Sequence, residues 1–140
     1  MKMCGIYFRD RTIYLFCQSE TVFGVWIACE PMLKISRNIT HSLLGEAVIN
    51  TLDFSQSRIP HPDNLQPTDM EFLKFIGFKR WRAFARKAFC ISVTFDGTDV
   101  EVTPYAPDRR GNFFPLLDKA VKCALKPEEV GNLLFSLFPE

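Results

Sequence analysis

The stretch that most constrains the fold runs from Gly77 to Phe95, GFKRWRAFARKAFCISVTF, because its apolar period changes once along its length. Up to Ala88 the spacing predicts a basic amphipathic helix. Trp81, Phe84, Ala85 and Ala88 share one face, and Lys79, Arg80, Arg82, Arg86 and Lys87 share the other. From Phe89 the period is two: Phe89, Ile91, Val93 and Phe95 alternate with Cys90, Ser92 and Thr94, as in a strand with one buried face. A helix therefore hands directly into a strand, and both must pack on one core. That pattern prescribes packing and no chemistry.

A chain of 140 residues suits one domain, 1–140, that buries roughly two-thirds of the surface its unfolded form exposes. With 47% hydrophobic residues and 14 Phe, a large aromatic core is available and disorder is excluded. The 17 Lys and Arg nearly balance 16 Asp and Glu, so no overall field holds the chain on nucleic acid or an anionic membrane. The five cysteines, Cys4, Cys17, Cys29, Cys90 and Cys123, form no Cys-x-x-Cys pair and no Cys/His cluster at zinc spacing. An odd number of dispersed thiols in apolar segments predicts inert, reduced core residues. No signal-peptide core and no run of about 18 apolar residues occurs, so the expectation is a cytoplasmic protein.

The segment Met3 to Cys29, interrupted at Arg9 to Arg11 and at Ser19-Glu20, predicts a three-strand antiparallel meander. Its third strand is read through Val22, Phe23, Val25, Trp26, Ile27 and Ala28. Apolar residues on both faces of the last two strands imply central strands, or one face that meets a partner. Leu43, Leu44, Ala47, Val48, Thr51 and Leu52 make a helical stripe between Arg37 and Phe54. The proline-bearing stretch from Ser55 to Pro67 is a loop. Thr68-Asp69-Met70-Glu71 reads as a capping box opening a short helix with Met70, Leu73 and Ile76 on one side, which Gly77 ends. Asp96-Gly97 predicts a hairpin whose return strand runs from Asp99 to Tyr105, with Pro104 closing it or setting it at an edge. The loop from Pro107 to Asn112 follows, Phe113 to Leu117 re-enters the core, and the region from Leu116 to Leu125 fits either a short strand or irregular chain. Pro127, Glu128 and Glu129 open a last helix whose Val130, Leu133, Leu134, Leu137 and Phe138 form its buried stripe. The sum is an α+β fold: a largely antiparallel sheet, made of an N-terminal meander and a later hairpin, packed against about four helices.

No phosphate-cradling glycine loop is present, and His41 and His61 share no ligand face, so structural roles are expected for both. No spaced acidic pair suggests acid-base catalysis. Neither a cofactor nor a metal site is expected, and the chain reads as no enzyme. The basic helix 79–87, with Trp81 and Phe84 close by, offers phosphate and base contacts and keeps a nucleic-acid-binding module as the alternative.

The order of several motifs resembles contact-dependent growth inhibition immunity proteins of the CdiI kind. These motifs are Ile59 to Pro62 (IPHP), Leu73, Gly77, Trp81-x-x-Phe84 through Ala88 into Ile91-Ser92-Val93, Pro104, Gly111-x-Phe113, and Pro127-Glu128-Glu129-Val130-Gly131. The resemblance implies a non-catalytic bacterial α+β protein that binds a cognate toxin domain, one to one, and occludes it inside the producing cell. It further implies a nuclease among the toxins of such systems, and a contact surface that varies between members. An electropositive nuclease site favours acidic and aromatic groups on its inhibitor. Asp99, Glu101, Tyr105, Asp108, Arg109 and Arg110 are accordingly the expected toxin contacts.

Overall fold

The computed structural model describes residues 1–63 and 66–139, with the backbone alone for 66–69. Strands β1 (Lys2–Arg9), β2 (Thr12–Glu20) and β3 (Trp26–Ser36) form the meander. Helices α1 (His41–Leu52), α2 (Gln66–Ile76) and α3 (Trp81–Ala85) precede β4 (Phe89–Phe95) and β5 (Val100–Pro107). Short strands β6 (Phe113–Pro115) and β7 (Val121–Cys123) flank a 3-10 turn at Leu117–Lys119, and α4 (Pro127–Leu137) ends the chain. The sheet order is β3-β2-β1-β4-β5-β6, with β7 also paired to β5, and every strand pairing is antiparallel. This is the α+β architecture expected. No helix among the described residues is long and apolar enough to cross a membrane.

Alternation along the strands makes two faces. Cys4, Ile6, Ile13, Leu15, Ile91, Val93, Val100 and Val102 point to one, where Leu44, Val48 and Leu52 of α1, Val130 and Leu134 of α4, and Phe138 just beyond it cover them. The α1–α4 contact is close because both helices carry an interior glycine. A Cβ on Gly45 would overlap the Pro127 carbonyl, and one on Gly131 would overlap the His41 carbonyl. Thr40 caps α1, accepting from the Leu43 N–H, and Pro127 stands in the first turn of α4. On the opposite face Tyr14, Ile76 and Phe84 are buried, with Tyr7, Phe72, Phe75, Phe78 and Trp81 packed around them. Gly5 makes room there: its missing Cβ would strike the Phe16 ring, which lies across the strand and stacks on Tyr7 at 5.5 Å.

Several expectations change. The second turn of the meander is Thr21 to Val25, so Val22, Phe23 and Val25 stand exposed in it, and the third strand continues to Ser36. Glu30 and Pro31 interrupt its register between Met32, opposite Phe16, and Cys29, opposite Cys17. That strand is the sheet's edge, while β2 is central. Helix α2 starts at Gln66, two residues ahead of the proposed cap Thr68, and its Met70 points outward. Gly77 ends it at φ 78°, as its position predicts.

The helix read over 79–87 shrinks to Trp81–Ala85. Arg80 is extended and Arg86 to Ala88 form a turn, because Phe89 is already drawn into register with Phe8. Strand β4 is central and buried on both faces, with Ile91 and Val93 under α1 and α4 and Cys90 and Ser92 buried on the other side. Pro104 neither closes β5 nor lies on an edge. It sits between the segments paired to β7 and to β6, where its carbonyl accepts from the Leu116 N–H. Of the segment from Phe113 to Leu117, Phe114 and Leu117 face solvent.

Candidate partner-binding surface

The six expected contact residues lie along one strand and the loop beyond it, not in a cluster. Asp99 precedes β5 at the hairpin, half-buried. Asp96 holds that turn, its Oδ1 accepting from the Thr98 and Asp99 N–H groups at 2.8 Å each. Glu101 stands between Thr94 and Lys122, and Tyr105 between Cys90 and Pro115. At about 3.3 Å per residue, Asp99 and Asp108 are separated by roughly 30 Å of strand.

Asp108, Arg109 and Arg110 are exposed in a tight loop. Asp108 Oδ1 accepts from the N–H groups of Arg110 at 2.7 Å and Asn112 at 3.0 Å. These backbone bonds, that to Asn112 foremost, hold its carboxyl below the usual range. Trp81 donates from Nε1 to the Gly111 carbonyl at 2.8 Å and fastens the loop to α3. The result is a cleft of ≈ 390 Å³ lined by Arg82, Arg86, Asp108 and Arg109. Arginines outnumber Asp108 at this end of β5, so the acidic groups of the expected set stand apart from cations only around Asp99 and Glu101.

A second concavity had no place in the sequence reading. Tyr7, Phe16, Gln18, Val25, Trp26, Ala28, Phe72, Leu73 and Trp81 line a mainly apolar groove of ≈ 570 Å³ between α2, α3 and the open edge of the sheet. Beside it the turn after β2 exposes Val22 by 56% and Phe23 by 76%. His61 props that turn: its Nδ1 lies 3.1 Å from Thr21 Oγ1 and its ring meets Phe23 edge-on. His41 likewise packs structurally, 2.7 Å from Asn132 Oδ1 and stacked on Phe135.

Among the thiols, burial pushes Cys4 above its ordinary range and Cys90 up to about 12, as expected of core cysteines. Cys29 departs from that expectation. Its thiol is held below the ordinary range, first by the neighbouring Cys17 and then by Ser19, whose hydroxyl lies 3.3 Å from the sulfur.

The shape of the fold is shared with solved structures. A protein of unknown function from Neisseria meningitidis superposes with a TM-score of 0.80 at 15% identity, over 97% of this chain and 93% of that one. A chain of the CdiA-CT/CdiI toxin and immunity complex from Yersinia pseudotuberculosis superposes with a TM-score of 0.78 at 13% identity, over 96% and 93%. At such identities the likeness is one of fold. No family model and no curated protein matches this sequence.

Proposed function

We propose that this chain is an immunity protein that binds the toxin domain of a cognate contact-dependent growth inhibition effector, one to one, and occludes its active site. The observation that carries the reading is the near full-length fold likeness to a chain from a toxin and immunity complex. The motif order from Ile59 to Gly131 supports it from the sequence. A stable inhibitory interface buries about 800 Å² per partner, roughly a tenth of the 8424 Å² this chain exposes. The apolar groove and the turn carrying Val22 and Phe23 supply the apolar centre such an interface needs. Asp99, Glu101, Tyr105, Asp108, Arg109 and Arg110 form its polar margin. A nuclease is the toxin chemistry the reading favours, acting in the cytoplasm where the chain would meet it. Co-expression with the toxin domain encoded beside its gene should restore growth. Equal killing with and without this chain, at matched soluble expression, contradicts the proposal.

The cationic cleft favours one second reading, binding of a nucleic-acid backbone through Arg82, Arg86 and Arg109. It predicts oligonucleotide affinity that falls steeply with salt and is abolished by Arg82→Glu with Arg86→Glu. Binding unchanged by that pair removes the second reading.

A further inference from the structure

Three cysteines stand in one row across the first three strands: Cys4 opposite Cys17, and Cys17 opposite Cys29. Directly opposed residues of antiparallel strands have Cα atoms about 4.5–5.5 Å apart, within the span a disulfide bridges. Cys4 and Cys17 are fully buried, whereas Cys29 is partly exposed on β3, which pairs with no further strand among the described residues. Ser19 Oγ lies 3.3 Å from the Cys29 sulfur and accepts from the Gln56 N–H at 3.0 Å, which leaves its own proton to donate to that sulfur. We propose that Cys29 and Cys17 form a reversible dithiol pair, in which Cys29 reacts first with a small disulfide oxidant and Cys17 resolves the adduct into a cross-strand disulfide.

The steps balance. The Cys29 thiolate attacks one sulfur of a glutathione-type disulfide, forms a mixed disulfide and expels one thiolate. That thiolate takes the Cys17 proton. The Cys17 thiolate then attacks the Cys29 sulfur and expels the second small thiolate, which takes back from solvent the proton Cys29 lost on ionising, so two protein thiols are oxidised and one small disulfide is reduced to two thiols. The division of roles follows from the surroundings. Cys29 is reachable and has the Ser19 hydroxyl placed to donate to its sulfur, whereas Cys17 holds its proton, favoured first by the neighbouring Cys29 and then by burial. The same bridge would tie the edge strand beside Ile27 and Ala28, which line the apolar groove, to central β2.

The test is intact-mass and peptide mapping of the purified chain after incubation with glutathione disulfide. The expected wild-type product has lost two hydrogens, with Cys17 and Cys29 joined. Cys17→Ser should instead accumulate one glutathione on Cys29, and Cys29→Ser should do neither. Reduced wild-type protein should show iodoacetamide labelling of Cys29 that is half-maximal below the ordinary thiol range and well below that of Cys90. Five thiols that stay free, a bridge using other cysteines, or Cys29 labelling no faster than Cys90 overturns the proposal. The wild-type measurements decide it even where a variant fails to fold, and they do not depend on the identity of any protein partner.

Discussion

A methyl group added at Gly45 would overlap the carbonyl oxygen of Pro127, and one at Gly131 that of His41, so the closeness of α1 and α4 rests on two hydrogen atoms. The obstacles are backbone atoms, which cannot swing aside. Gly131→Ala should therefore cost about 1–3 kcal/mol as an overpacked contact, read as a lower denaturation midpoint, while Asn50→Ala on the exposed side of α1 stays within about 0.5 kcal/mol of wild type. Phe84 is the largest fully buried side chain and meets Tyr7, Tyr14, Phe78 and Trp81. Its replacement by alanine should cost about 3–5 kcal/mol, by the same readout. At the hairpin, Asp96 has its pKa lowered from 3.8, chiefly by the Asp99 and Thr98 backbone N–H groups. A depressed folded-state value means that its contribution is present above the ordinary carboxylate range and is lost as pH falls through the lower folded value. The group is exposed, so the effect is small and local. Asp96→Asn should speed amide exchange at Thr98 and Asp99 at neutral pH and leave the rest of the sheet unchanged.

Elements differ in how much of them one segment of sequence encodes. The β4–β5 hairpin and α4 were legible because their signals are local: Asp96-Gly97 for the turn, and Pro127 with two glutamates ahead of a stripe for the helix. The short α3 was not, since its cations have helical spacing while tertiary pairing of Phe8 with Phe89 withdraws residues 86–88 from the helix. The run after Glu20 misled for a related reason: Val22, Phe23 and Val25 look like strand residues but stand exposed in a turn, anchored by Thr21. Helix α3 and the loop 108–112 are one device, coupled through Trp81. Trp81→Phe keeps the aromatic packing but removes the bond to Gly111, so proteolysis or amide exchange in the loop should rise while global stability falls by only about 0.5–1.5 kcal/mol. The groove was illegible because its walls come from β1, β2, β3, α2 and α3. Gly5 opposite Phe16, within an aromatic-rich chain, was the one local hint that a face there is built from rings lying flat.

At the scale of the molecule, the described residues cover the sheet with α1 and α4 on one face and only partly with α2 and α3 on the other. The uncovered part adjoins the edge strand, an apolar groove and an exposed apolar turn. A near-neutral chain with such a surface is suited to covering another protein more than to holding a polyanion by field alone. The fold likeness to a chain from a toxin and immunity complex gives that surface a proposed occupant. The most direct test is the mass in solution of this chain mixed with the purified toxin domain encoded beside it, measured by light scattering during size exclusion. The account predicts one species with the summed mass of one copy of each; two separate peaks at micromolar concentration would contradict it.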